Sequence, residues 1–117
     1  MKNVVLISSI FFLLSCQDNK IDCDNFTGWQ RGGKIPELRL LYRVDLDENK
    51  IYLNRENIDI SSLNERLHMY RNLNPSPFYI LSFKNSSCHN VYKVRDVMND
   101  KLECQKGRCG VGNDWKR

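Results

Sequence analysis

A chain of 117 residues with 18 Lys or Arg, 14 Asp or Glu and a formal net charge of +4 has the length of one small domain. The charge is too mild and too interspersed to mark a nucleic-acid binder, so no nucleic-acid partner is expected. Five cysteines in so short a chain point to covalent reinforcement of a core that would be marginal by itself.

The chain opens on Met1-Lys2-Asn3, followed by an apolar run from Val4 to Leu14 broken only by Ser8 and Ser9. A cationic start, about ten apolar residues and a small residue before the cut describe an export signal. The run falls short of the roughly 20 apolar residues that a membrane-spanning helix needs. The quartet Leu13-Leu14-Ser15-Cys16 resembles the lipobox of bacterial lipoproteins. That resemblance implies cleavage before Cys16, acylation of Cys16 and attachment to a lipid bilayer at the periplasmic face of the envelope. The family's sorting rule, applied to Gln17 where inner-membrane retention would need Asp, favours the outer membrane. An ordinary export signal ending near a cysteine is the plainer alternative. The expected organisation is a signal at residues 1–15, a polar tether at 16–35 containing Gly28, Gly32 and Gly33, and a folded domain at 36–117.

Regular patterning begins at Leu38. Leu38, Leu40, Tyr42, Val44 and Leu46 alternate with Arg39, Leu41, Arg43, Asp45 and Asp47, the period of a strand with one buried and one wet face. Asp47-Glu48-Asn49-Lys50 is turn chemistry, and Ile51-Tyr52-Leu53 resumes the alternation, so a hairpin is expected. A second polar turn, Asn54-Arg55-Glu56-Asn57, leads into Ile58-Asp59-Ile60. Ser62 followed by Glu65 fits a capping box, and Leu63, Leu67 and Tyr70 form one apolar stripe of a helix that Asn74 and Pro75 stop. Phe78 to Phe83 reads as a strand buried on both faces. A second helix covers 90–103, with Val91, Val94, Val97, Met98 and Leu102 on one side, and Gly110-Val111-Gly112 suggests a last short strand. The order β-β-α-β-α-β with right-handed crossovers predicts an α/β two-layer sandwich: a mixed sheet of about four strands with two helices on one face.

Apart from Cys16, the cysteines are Cys23, Cys88, Cys104 and Cys109, an even number that reads as two disulfides in an exported chain. A helix over 90–103 would hold Cys88 and Cys104 about 20 Å apart, beyond the Cα separation of about 7 Å that a disulfide tolerates. That pair is excluded, and Cys23–Cys88 with Cys104–Cys109 is favoured. Zinc held by Cys88, His89, Cys104 and Cys109 is the alternative, but the paired knuckle spacing is missing. Cys88 beside His89 as nucleophile and base has no oxyanion-hole signature with it. Asp45, Asp47, Asn49 and Glu56 occupy EF-hand positions, yet Lys50 stands where that loop requires glycine and the preceding residues alternate like a strand. A hairpin turn explains the same residues. His68 reads as a surface or packing residue. No metal, no cofactor and no catalytic residue is therefore expected, and the chain reads as a non-enzyme.

Leu38 to Leu102 resembles the periplasmic domain of the ExbD/TolR family, through Ile51-Tyr52-Leu53-Asn54, the segment Ile58 to Leu67, the strand 78–83 and Val94-x-x-Val97-Met98. The resemblance implies a small, dimer-forming module that contacts an envelope protein or peptidoglycan. The family's transmembrane helix with its aspartate has no counterpart here, and the four cysteines are not part of its pattern. Arg39 and Arg43, on the wet face of the first patterned strand, are the expected partner-binding residues. A surface-exclusion or hydrolase-inhibitor lipoprotein is the alternative reading of a small, disulfide-bonded, lipid-anchored chain.

Overall fold

The structure, a computed structural model, describes residues 23–36 and 39–116. The signal segment, Cys16 and Leu38 lie outside the described residues. Those described form six strands and two helices: β1 (Gln30–Lys34), β2 (Leu41–Asp47), β3 (Lys50–Leu53), β4 (Glu56–Ile58), α1 (Ile60–Tyr70), β5 (Phe78–Lys84), α2 (Cys88–Leu102) and β6 (Cys109–Lys116). All six strands join one mixed sheet in the order β1-β6-β5-β2-β3-β4. The β1, β6, β5 and β2 strands run parallel, while β3 and β4 are added antiparallel by hairpins.

Two more strands are present than the sequence suggested, one at each edge. At one edge, Asn54 and Arg55 adopt φ values of 49° and 74°, the paired positive φ of a two-residue hairpin turn. That tight turn lets Glu56–Ile58 fold back on β3. At the other, Gln30–Lys34 pairs in parallel with β6. Residues 23–35, expected to belong to a tether, are part of the domain. Cys23, Phe26 and Trp29 are 4%, 2% and 6% exposed within the main core. Composition misled here because the anchors are single aromatic residues spaced among polar ones.

The chain passes from β2 to β5 through α1 and from β5 to β6 through α2, moving the same way across the sheet. Two right-handed crossovers in one direction place both helices on the same face, where they pack on each other. Val44, Leu46, Leu53, Leu81 and Val111 meet Leu63, Leu67, Val91, Val94 and Met98 there. Alternation along β5 sends Phe78 and Ile80 to the other face, which is only partly wet: Ile35, Leu41 and Trp115 cover them in a second cluster.

Local chemistry sets the helix ends. In α1 the cap is Asp59, not Ser62: its carboxylate accepts the Ser62 backbone N–H at 2.7 Å. A carboxylate in extended backbone one residue before the helix reaches those amides first, which leaves Ser62 and Glu65 inside the first turns. α2 starts at Cys88, ahead of the expected 90, because Ser87 caps it through Asn90 N–H at 3.2 Å. The first patterned strand also begins later than expected. Leu40, assigned to the buried face, is 60% exposed, and ladder pairing starts at Leu41.

Candidate functional site

Disulfides join Cys23 to Cys88 and Cys104 to Cys109, with Cα separations of 5.4 and 4.9 Å, which is the favoured pairing. The sulfurs of all four are thereby committed, so neither the Cys88-His89 pair nor a cysteine–histidine zinc cluster is available. His68 and His89 are both exposed.

The Cys23–Cys88 bond fixes the start of the described chain against the N-terminus of α2. Three further contacts hold the segment there. Trp29 Nε1 donates to Asn99 Oδ1 at 2.8 Å, Arg95 Nη1 donates to the Asn25 carbonyl at 2.7 Å, and Phe26 stacks on Phe83 with ring centroids 6.2 Å apart.

The two arginines expected to bind a partner sit in different settings. Arg39 precedes β2. Its guanidinium donates to the Ser76 and Pro77 carbonyls at 2.9 and 3.1 Å and lies 5.8 Å from the Phe78 ring centroid, so it secures the entry to β5. Arg43 lies within β2, and its backbone N–H is bound by Asn54 Oδ1 at 2.8 Å. Strand alternation from Val44 and Leu46 turns its side chain to the helix-free face, where it makes no hydrogen bond or ion pair within the described residues. The strand that carries it is interior, flanked by β5 and β3; among the described residues the sheet edges belong to β1 and β4.

A groove of about 460 Å³ opens at the C-terminal ends of the parallel strands, lined by Asp45, Asp47, Tyr52, Arg55, Ser82, Lys84 and Asn113. Its origin is in the pairing. β5 stays registered with β2 as far as Lys84 opposite Asp47, whereas its pairing with β6 ends at Leu81 opposite Val111. β6 then follows β1, leaving Ser82 and Lys84 on one bank and Asn113 on the other. Clefts at the carboxyl ends of parallel strands are the usual ligand positions of such sheets. Ser82, 6% exposed, donates its hydroxyl to Asp45, and Lys84 lies 3.8 Å from Asp47. Asp45 and Asp47, which matched calcium-loop positions, are thus engaged by β5 side chains. The alternation in β2 marked both as wet; the divergence of β5 from β6, which makes the groove, had no sequence signal.

One edge is tied down electrostatically. Arg66 of α1 donates two bonds to the Glu56 carboxylate of β4, at 3.0 and 2.9 Å. These bonds and the guanidinium charge hold the Glu56 carboxyl below its usual range. No helix among the described residues is long and apolar enough to cross a membrane. Compared with protein-family models, curated proteins and solved structures, the chain matches none.

Proposed function

We propose that this chain is a lipid-anchored lipoprotein of the bacterial envelope, non-catalytic, whose disulfide-stapled domain binds a protein or cell-wall partner in the manner of ExbD/TolR periplasmic modules. The observation that carries the reading is the Cys23–Cys88 disulfide. Structural disulfides persist outside the reducing cytosol, which agrees with an export signal cut before Cys16. The bond also fastens the domain a few residues beyond the proposed acylation site. The partner surface is the helix-free face bearing Arg43 and the groove between Asp45 and Asn113, with strand addition at the β1 edge of the sheet as a second mode.

In-vivo crosslinking of the anchored protein, followed by mass spectrometry, tests both parts. Cys16→Ala is expected to abolish labelling by a palmitate analogue and to release the protein from the membrane fraction. Arg43→Glu, on a side chain with no hydrogen bond or ion pair among the described residues, is expected to remove a crosslinked partner while leaving anchoring intact. Unchanged labelling in the first variant overturns the lipoprotein reading, and an unchanged crosslink pattern in the second overturns the surface.

A further inference from the structure

At the end of the sheet opposite the groove, the C-terminal ends of both helices and the entry to β5 enclose a second cavity of about 340 Å³, lined by Arg71, Ser76, Tyr79, Lys101, Glu103 and Arg108 among others. Two hydrogen-bond donors belong to its lining, one buried without a partner and the other without an ion pair among the described residues. Tyr79 is 2% exposed, and its hydroxyl is buried with no hydrogen-bond partner among the described residues. Burial pushes the phenol well above its ordinary pKa, so it stays protonated and able to donate. Arg71, the exposed C-cap residue of α1, forms no ion pair among the described residues.

The remaining charges of the cavity answer one another. Lys101 lies 3.5 Å from Asp100, and Glu103 receives Lys106 at 2.6 Å and Arg108 at 3.6 Å. The Lys106 hydrogen bond, ahead of the charges of Lys106, Arg108 and Arg71, keeps the Glu103 carboxyl below its usual range. What is left over is a buried neutral phenol that lacks an acceptor among the described residues and an exposed guanidinium whose charge reaches Glu103 without an ion pair. A carboxylate supplies two such oxygens and forms its strongest hydrogen bonds with these donors.

We propose that this cavity binds a carboxylate-bearing small molecule whose oxygens accept from the Tyr79 hydroxyl and the Arg71 guanidinium. Its volume stands at the small end of ligand pockets, the size for a short-chain acid, an amino acid or the C-terminal residue of a peptide. The site is independent of the anchor and of the helix-free face, so it stands or falls separately from them.

The test is titration of the disulfide-intact protein in detergent with acetate, glycine and glycylglycine, followed by amide chemical shifts. Saturable shifts at Arg71, Leu102 and Arg108 are expected with the carboxylates, and none with methylamine, which carries only the ammonium. Equal affinity for acetate and glycylglycine identifies the carboxylate alone as the recognised group; tighter binding of glycylglycine identifies a peptide terminus. Tyr79→Phe keeps the ring, and Arg71→Gln keeps most of the side chain. Each is expected to weaken binding at least about tenfold, the loss of one charge-assisted hydrogen bond, with the spectrum otherwise that of a folded protein. Absence of saturable shifts with any carboxylate, equal shifts from methylamine, or unchanged affinity in Tyr79→Phe overturns the proposal and leaves the cavity to water.

Discussion

Two glycines show how closely the backbone is approached in this domain. A Cβ at Gly110 would stand 2.2 Å from Cζ2 of Trp115, whose indole covers the helix-free side of the sheet beside Phe78, with ring centroids 5.3 Å apart. A Cβ at Gly28 would stand 2.0 Å from the backbone carbonyl oxygen of Gln105, and its φ of +82° is already one that side chains disfavour. The first obstacle is a side chain that can swing away; the second is backbone that cannot. Gly110→Ala is expected to lower unfolding free energy by about 1–3 kcal/mol, the ordinary range for overpacking. Gly28→Ala is expected to cost more, since strain adds to the clash. Urea unfolding of both variants measures the difference, and a smaller loss in Gly28→Ala than in Gly110→Ala contradicts this account.

At the level of elements, the cap of α1 makes a pH-dependent prediction. The Asp59 carboxylate accepts the Ser62 backbone N–H, which holds its pKa below the usual carboxylate value. A group with a depressed folded pKa stabilises fully above its unfolded pKa and loses that contribution as pH falls through the folded value. Asp59→Ala is expected to lower the melting temperature by a few degrees at neutral pH, with the gap to wild type closing in acid. Ser62→Ala, which keeps the capping carboxylate and removes only the hydroxyl beside it, is expected to lower the melting temperature by less than Asp59→Ala does. Thermal melts at neutral and acidic pH compare them. Both helices were legible in the sequence because their stripes, Leu63 with Leu67 and Val91 with Val94 and Met98, are buried as the periodicity demands. Their starts were less legible, since three oxygen-bearing side chains, Asp59, Ser61 and Ser62, compete within four residues and only geometry chooses. β1 was not legible at all: Gln30-Arg31-Gly32-Gly33-Lys34 has no alternation, and the strand exists because Phe26 and Trp29 before it and Ile35 after it are buried. For the groove, the sequence exposed Asp45 and Asp47 as wet but offered no signal for Asn113 or for the parting of β5 from β6.

For the whole molecule, the two disulfides should contribute unequally. Cys23–Cys88 spans a separation of 65 residues and Cys104–Cys109 one of 5. Loop-closure entropy assigns them about 4 and about 2 kcal/mol respectively. Replacing Cys23 and Cys88 together by Ala is expected to shift the denaturant midpoint about twice as far as the corresponding Cys104/Cys109 pair. Equal shifts would mean that docking of Phe26 and Trp29 holds the N-terminal segment without its sulfur link. The same wide bond also routes mechanical force. A tug on the chain ahead of Cys23 arrives directly at the first turn of α2, and everything from β1 to β5 hangs on a slack loop between the two sulfurs. β1, an edge strand that would otherwise peel from β6 one pairing at a time, is shielded from tension applied at the N-terminal side.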